Sequence, residues 1–367
     1  MMTKTLVLGA SLAALVGMTS CKKDTNEAGG GGGSAAKTTE QPPKDEHGGG
    51  GQASGTIGGS GSTFQKAFQE SAMDAFMKSN PGVKVTYGGG GSGKGRQDLA
   101  DQIVDFAGSD SAFKDEDKGK IKGGDILYFP ILLGPISVSY NLDGVSKLQL
   151  SPETLAKIFQ GDIKKWNDAA IAADNKDVKL PDAEITVVHR ADGSGTTDNF
   201  TKYLDKASGG AWKLKSGSTV DWPKDQQAGQ GNGGVAQIIK STKGAVGYVD
   251  LSDAKAAGLT YANIKNQAGK FVEPTADSAS AAGDGIEVKP DLTFSALDAK
   301  GDASYPITYQ TWVIVYAKPA AGKAAALKAY LQYLLTDGQK LLPGLDFAPL
   351  PKSLQDKAIA QLAKIQG

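Results

Sequence analysis

Short apolar segments alternate with helical patterns from residue 55 to residue 367, and this alternation limits the fold more than any other feature. The apolar segments predict strands at residues 83–87, 125–129, 136–140, 185–188, 246–249 and 311–316. The helical patterns predict helices at residues 64–78, 96–104, 152–159, 196–204, 234–240, 320–335 and 352–365. Such alternation is typical of α/β sheets, whose ligands bind at loops that follow strands. We therefore predict an α/β fold, with residues 276–284 as a surface loop.

The first 54 residues are predicted to lie outside this fold. Residues 1–21 combine one lysine, an apolar run and small residues, which is the pattern of an export signal. The tetrad MTSC that ends at Cys21 resembles the bacterial lipobox, so Cys21 is the predicted lipidation site. The alternative is a plain secretory signal with an incidental cysteine. Residues 22–54 are rich in Gly, Lys and Glu and predict a flexible tether.

The charge balance argues against a nucleic-acid partner. The chain has 40 basic and 40 acidic residues, so no overall basic field exists to attract a polyanion. Any anion site must therefore be local. Cys21 is the single cysteine, which excludes a disulfide within the chain and a cysteine-based metal site.

Three Gly-Ser or Ser-Thr turns are predicted to lead into helices, at residues 60–64 (SGSTF), 89–95 (GGGSGKG) and 191–196 (ADGSGT). Backbone N–H groups at a helix N-terminus lack intrahelical partners, so each turn is a candidate anion seat. The alternative for each is ordinary capping by Ser or Thr. Residues 88–94 also match the G-x-x-x-x-G-K phosphate loop, but the next position is Gly95 instead of the Ser or Thr that holds Mg²⁺, which disfavours ATP.

Charged residues near these turns suggest the kind of anion. Arg190 and Asp192 are two residues apart at a predicted strand end, where a carboxylate could hold an Arg fork toward an oxyanion. A surface salt bridge is the alternative. Asp110 lies in a Gly-Ser loop, where it is either a turn former or a group that faces the anion. A carboxylate accepts hydrogen bonds only, so it would favour an oxyanion that still carries a proton, as phosphate does and sulfate does not.

The segments GSGSTF, YGGGGSGKG, DFAGSD, HRADGSGTTDNFTKYL, KSGSTVDWP, GGVAQIIKSTKGAVGYVD and SYPIT, in this order, resemble the substrate-binding protein of the high-affinity phosphate ABC importer. The resemblance spans residues 55–351. It implies a two-lobed periplasmic-binding-protein (Venus-flytrap) fold with two crossovers. By analogy, lobe 1 is residues 55–132 plus 305–367, lobe 2 is residues 140–298, and the hinge crossovers are residues 133–139 and 299–304.

The resemblance also implies the residues of a phosphate site. They are Thr63, Phe64, Ser92, Asp110, Arg190, Asp192, Ser194, Gly195 and Thr196. Phe64 and Gly195 would contribute backbone N–H groups, and the Thr and Ser residues hydroxyls. Lys94 departs from the family pattern and is either an accessory cation or a solvated lysine, whereas His189 is expected to be structural.

The function predicted from this resemblance is binding of orthophosphate outside the cytoplasm and its delivery to the permease subunits of an ABC transporter. The expected protein is a monomer, anchored to a membrane through Cys21, at the periplasm or cell surface. Another oxyanion (sulfate, molybdate or phosphonate) on the same fold is one alternative, and a surface sensor or adhesin is another. A secreted phosphatase or Ser hydrolase using Ser194 or Ser92 is disfavoured because G-x-S-x-G is absent around both. We expect no enzyme activity, cofactor or metal.

Overall fold

The computed structural model describes residues 53–367. The signal at residues 1–21, the lipidation site Cys21 and the tether up to residue 52 lie outside these described residues. The strands are β1 (Gly55–Gly61), β2 (Val83–Gly89), β3 (Phe106–Ser109), β4 (Ile126–Tyr140), β5 (Gln149–Leu150), β6 (Thr186–Arg190), β7 (Gln227–Gly229), β8 (Ala245–Asp250), β9 (Thr260–Tyr261), β10 (Asn263–Lys265), β11 (Phe271–Val272) and β12 (Thr308–Tyr316).

The α-helices cover the faces of this sheet arrangement. They are α1 (Lys66–Ser79), α2 (Ser92–Ala100), α3 (Asp115–Lys118), α4 (Pro152–Phe159), α5 (Ala169–Asp174), α6 (Gly195–Ala207), α7 (Gly231–Ser241), α8 (Leu251–Ala257), α9 (Ala276–Gly283), α10 (Ala324–Leu335) and α11 (Lys352–Gln361). Short 3₁₀ turns occur at Asp337–Leu341, Pro343–Leu345 and Leu362–Lys364. Within residues 53–367, no helix has both the length and the apolar character that a bilayer span requires.

The main sheet has nine strands in the order β2-β1-β3-β12-β4-β8-β6-β7, with β9 paired to β4. Strands β1, β2 and β3 are parallel to one another, and so are β6, β7 and β8. A smaller sheet has the order β11-β10-β5. The predicted α/β class is therefore confirmed.

Strand β4 belongs to both halves of the main sheet. Residues 126–135 pair with β12, whereas residues 136–140 pair with β8. The change of partner occurs between Pro135 and Ile136, inside the residues 133–139 that we predicted as a crossover. The sequence predicts two strands in this region because it contains Pro130 and Pro135, but the structure forms one strand of 15 residues. A shift of register between Thr311 and Trp312, opposite Pro130, accommodates the first proline.

Four strands of the main sheet, β1, β3, β7 and β9, were not predicted. Strand β1 (GTIGGSG) and strand β3 (FAGS) are rich in glycine, which has low strand propensity. Close packing explains the glycines: a Cβ on Gly59 would lie 2.1 Å from the ring of Phe106, and one on Gly61 would lie 2.1 Å from the carbonyl oxygen of Gly108. Here tertiary contacts override local propensity.

Several local predictions were wrong, and two of them concern more than a helix boundary. The surface loop predicted at residues 276–284 is helix α9, which begins with a capping box in which Thr275 and Ser278 exchange hydrogen bonds. Helix α2 begins at Ser92 instead of residue 96, so SGKG forms its first turn. As a result, the backbone N–H groups of this glycine-rich segment belong to a helix N-terminus.

Candidate functional site

The predicted site residues converge at the carboxyl ends of parallel strands. Thr63 follows β1, Ser92 follows β2, Asp110 directly follows β3, and Arg190 ends β6. Loops at these ends are where open α/β sheets bind ligands. The structure brings residues from both predicted lobes together at this edge.

Asp110 is the buried centre of the group, with 1% of its surface exposed. Its Oδ1 accepts a hydrogen bond from Thr311 Oγ1 at 2.7 Å, and its Oδ2 accepts one from Ser92 Oγ at 3.1 Å. Burial raises the pKa of Asp110, against the opposing effects of neighbouring hydroxyls and of the charge on Arg190. The carboxyl is therefore a desolvated group with its hydrogen-bonding geometry fixed.

Arg190 is held by Asp192 in a two-point contact. Its Nε donates to Asp192 Oδ1 at 2.8 Å and its Nη2 to Asp192 Oδ2 at 2.5 Å, and both side chains are almost fully buried. Burial opposes ionisation of Asp192, but the hydrogen bonds and charge of Arg190, with the N–H of Gly231, leave the pKa of Asp192 lowered. The pair is therefore ionised, and its contact is the bidentate one suited to orienting a guanidinium.

The N-terminus of α6 lies beside this pair. Ser194 is its N-cap, and Ser194 Oγ accepts from the N–H of Thr197 at 3.1 Å, so the capping role that we considered for this residue is real. That acceptor role leaves the hydroxyl proton free to be donated. Gly195 and Thr196 are the first two helical residues, whose N–H groups have no intrahelical acceptor. This helix end provides donors and a positive dipole end.

Thr63 and Phe64 precede α1, which begins at Lys66 and not at Phe64 as predicted. The Phe64 ring packs on Tyr309 with centroids 4.0 Å apart, and its N–H donates to Ser62 Oγ at 3.1 Å. Thr63 Oγ1 accepts from the N–H of Asn232 at 3.3 Å. The ring of Phe64 is thus part of the core, and only its backbone is polar at this position.

Two further residues from the sequence analysis can be placed. Lys94 Nζ lies 2.7 Å from Asp98 Oδ2, one turn along α2, and Asp98 Oδ2 also accepts from Ser60 Oγ at 2.6 Å. His189 stacks on Trp222 with ring centroids 5.0 Å apart, and burial lowers its pKa. Lys94 is therefore paired with Asp98, and His189 is packed against Trp222.

Hydrogen bonds join the predicted lobes around the site, among them the following four. Gly93 N–H donates to Gly193 O at 2.8 Å, and Asn199 Nδ2 donates to Asp110 O at 2.8 Å. Ser111 Oγ donates to Asp198 Oδ2 at 2.6 Å. The fourth is the contact between Thr63 and Asn232. The two sides of the site therefore touch directly.

The sequence analysis missed residues that support the site from distant segments. Thr311 and Tyr309 come from β12, and Asn232 from α7. Arg96, one of only two arginines in the chain, donates to Ser109 Oγ at 2.8 Å and to Ser111 O at 3.3 Å, on either side of Asp110. Both arginines thus lie at the candidate site. Only two of the 40 basic residues are arginines, and this scarcity is the sequence feature that could have indicated Arg96 as a site residue.

A cleft of about 430 Å³ opens next to Thr63 and Phe64. Gly89 and Gly90 line one side, and the other side is lined by Gln230, Gly231, Gly233, Gly234, Asp250 and Asp253. Among the residues that the structure describes, no group of three or more His, Cys, Asp or Glu side chains is arranged to hold a metal ion. The N–H donors at the start of α6 and the oriented guanidinium of Arg190 are groups that suit a small anion.

Comparison with known proteins gives one consistent family. A model described as "PBP superfamily domain" matches residues 47–338. The chain is 36% identical over 315 residues to phosphate-binding protein PstS of Pasteurella multocida, covering 83% of this chain and 89% of the relative. It is 38% identical over 323 residues to phosphate-binding protein PstS of Methanocaldococcus jannaschii, covering 80% and 82%.

Solved structures agree on the fold. A high-affinity periplasmic phosphate-binding protein (PfluDING) bound with phosphate has a TM-score of 0.71 at 21% identity, covering 84% of this chain and 94% of the other. A phosphate-binding protein from Stenotrophomonas maltophilia has a TM-score of 0.66 at 18% identity, with the same coverages of 84% and 94%. At these identities the similarity concerns the fold, and it confirms the two-lobed binding-protein architecture.

Proposed function

The chain belongs to the phosphate-binding protein family within the PBP superfamily, and on this basis we propose that it binds inorganic orthophosphate for import by an ABC transporter. The observation that carries the proposal is the convergence of Asp110, the Arg190–Asp192 pair and the N-terminus of α6 at one buried location. The ligand would be bound without a cofactor and released unchanged.

The distribution of charge supports an anion that keeps a proton. Asp192 neutralises Arg190, so attraction to phosphate would come mainly from directed N–H and O–H donors. The candidate donors are the N–H groups of Gly195 and Thr196 and the hydroxyls of Thr63 and Ser194. The Phe64 N–H and the Ser92 hydroxyl would join them by exchanging their present acceptors, Ser62 Oγ and Asp110 Oδ2, for the ligand. Asp110 would accept the proton that phosphate carries and repel fully deprotonated sulfate. No observation favours a different oxyanion.

Binding would be coupled to closure of the two lobes. Donors from both lobes meet at the site, so phosphate would have higher affinity for the closed arrangement and shift the population toward it. In this proposal residues 133–139 and 299–304 are the hinge crossovers, between lobe 1 (55–132 and 305–367) and lobe 2 (140–298).

The cellular context is part of the same proposal. Export, acylation of Cys21 and a tether at residues 22–54 would hold a monomeric binding domain at a membrane surface, in the periplasm or on the cell surface. There it would deliver phosphate to the membrane permease subunits. The role is that of a binding protein and not an enzyme.

Calorimetric titration of the purified full-length protein would test this function. The protein is unfolded and refolded to remove bound ligand and then titrated at neutral pH with phosphate and, separately, with sulfate. One-to-one phosphate binding without sulfate heat is expected. Absence of phosphate binding by refolded protein with native circular dichroism would reject the function, and sulfate binding of equal strength would reject the proposed filter.

A further inference from the structure

Asn232 is a fully buried amide that the proposed phosphate contacts do not include. It is the second residue of α7, and its Oδ1 accepts a hydrogen bond from Arg190 Nη1 at 2.7 Å. Its Nδ2 donates to Asp250 Oδ2 at 2.7 Å. One side chain therefore connects the arginine of the site to a buried carboxyl group.

The chemistry of the neighbours fixes which way this amide points. Arginine can only donate, so the oxygen of Asn232 must face Arg190. The NH₂ group must then face Asp250, which is an acceptor. Asp250 is itself fixed, because its Oδ1 caps α8 by accepting from the N–H of Asp253 at 2.9 Å. Asn232 is therefore held by a residue that is itself fixed at the N-terminus of α8.

A count of donors shows what this contact does to the arginine. A guanidinium has five N–H groups. Asp192 engages one on Nε and one on Nη2, and Asn232 engages one on Nη1. Asp192 and Asn232 thus hold the group from two directions, and two N–H groups remain for a ligand. Asp192 alone would fix one edge of the guanidinium and leave Nη1 without a partner closer than Thr196 Oγ1 at 3.5 Å.

We propose that Asn232 is a positioning residue of the anion site, which holds the Arg190 guanidinium in the orientation that binds the anion. The proposal rests on the phosphate-binding function above. The backbone N–H of Asn232 also donates a hydrogen bond to Thr63 Oγ1 at 3.3 Å. The residue that orients Arg190 therefore also contacts the opposite predicted lobe. Side-chain replacement leaves this backbone contact possible and isolates the effect on Arg190.

The first test compares two buried asparagines. Asn232→Ala removes the acceptor of Arg190, and the loss of a hydrogen bond to a charged group should raise the Kd for phosphate about 10- to 100-fold. Asn175→Ala is the matched control, because Asn175 is 4% exposed and bonds Gln149 and Ile171, far along the chain from the site. It should lower the melting temperature and leave the Kd unchanged. An unchanged Kd in Asn232→Ala, with a lowered melting temperature, would assign the amide to core stability and overturn the proposal.

The second test asks whether the effect passes through Arg190. In an Arg190→Lys background, which has no planar fork to orient, Asn232→Ala should change the Kd less than about twofold. A loss as large as in the wild-type background would overturn the positioning role. If wild-type protein binds no phosphate, the proposed function fails first, and that outcome is distinct from either result with Asn232.

The third test needs no ligand. With two arginines in the whole chain, the guanidinium N–H signals in a nitrogen-15 NMR spectrum can be assigned by comparison with the Arg190→Lys variant. We expect the Arg190 Nη signal to be sharp in wild-type protein and broadened in Asn232→Ala. Asn232→Asp keeps the shape and the acceptor toward Arg190 but loses the donor to Asp250, so it is combined with Asp250→Asn, and this double variant should retain the sharp signal. Identical signals in all three proteins, or loss in both variants, would contradict the proposal.

Discussion

The N–H of Gly93 donates a 2.8 Å hydrogen bond to the carbonyl oxygen of Gly193, which joins the first turn of α2 to the loop before α6. This close approach of the two backbones depends on glycine, which has no side chain. A Cβ on Gly93 would lie 3.0 Å from that oxygen, and one on Gly91 would lie 2.2 Å from Asp192 Oδ2. The glycines that resemble a nucleotide loop in the sequence therefore permit backbone segments of the two predicted lobes to touch.

Gly195→Ala should prevent this close approach. The added methyl would lie 2.4 Å from Ser92 Oγ and 2.7 Å from Asp110 Oδ2, so the lobes would be forced apart at the site. Overpacking of this kind predicts a phosphate Kd raised about 10- to 100-fold, measured by calorimetry. Gly119→Ala is the control, because no atom lies within 4 Å of the added Cβ. Equal affinities for the two variants would contradict a tightly closed site.

Asp110→Asn should relax the exclusion of sulfate. The amide can donate to an anion without a proton, whereas the carboxylate can only accept. We expect a phosphate Kd raised about tenfold and sulfate binding that becomes measurable in competition titrations. Unchanged selectivity would remove Asp110 from the discriminating role.

The same variant should be more heat-stable than wild-type protein at neutral pH without ligand. Burial raises the pKa of Asp110 above its ordinary value of 3.8, so the folded state binds that proton more tightly than the unfolded chain. The resulting stabilisation is present below the unfolded pKa and is lost as pH rises through the folded pKa, where the buried carboxylate becomes a cost. Asp110→Asn should therefore raise the melting temperature by on the order of 2 °C at pH 7. The difference should shrink as the pH falls, and a gap that grows at acid pH would refute this account.

Ser111→Ala should weaken phosphate binding without changing selectivity. Ser111 Oγ donates to Asp198 Oδ2 at 2.6 Å across the predicted lobes, and Arg96 contacts the adjacent backbone. Loss of one hydrogen bond that exists only when the lobes touch should raise the Kd roughly fivefold for any ligand. Ser241→Ala, on an exposed hydroxyl at the end of α7, is the control. A changed ratio of phosphate to sulfate affinity would mean that Ser111 acts on the ligand directly.

Lys94→Gln separates the two interpretations of that lysine. Because Lys94 is paired with Asp98 and its side chain is 56% exposed, its removal should change the phosphate Kd less than about threefold. Titrations at low and high salt measure this. A change above tenfold at both salt concentrations would indicate a contact with the ligand.

The long elements of the fold could be read from the sequence because their apolar periodicity is local. Helix α4 was predicted at its observed bounds, Pro152–Phe159, where Ser151 caps the helix and Pro152 begins it. Strands β1 and β3 could not be predicted, because the glycines of β1 are explained by Phe106 and Gly108 on β3, and Gly108 itself by the side chains of Tyr87 and Gln65. The same limit applies to β4, whose Pro130 is tolerated through a register shift against β12.

Some residues of the candidate site could likewise be predicted from a local segment, and others could not. The local segment that contains Arg190, Asp192 and Ser194 indicated an oxyanion seat, and their mutual contacts are those of a strand end and a helix cap. Thr311, Tyr309 and Asn232 could not be assigned from the sequence, since they approach only after distant strands have paired.

Strand β4 also has a consequence for how the protein unfolds. Because one strand pairs with β12 along its first part and with β8 along its second, cutting the chain at Pro135 would leave each fragment with a frayed sheet edge. The C-terminal fragment would carry β12, whose partners β3 and the first part of β4 would be in the N-terminal fragment. We therefore expect the two predicted lobes to melt together, as one cooperative unit.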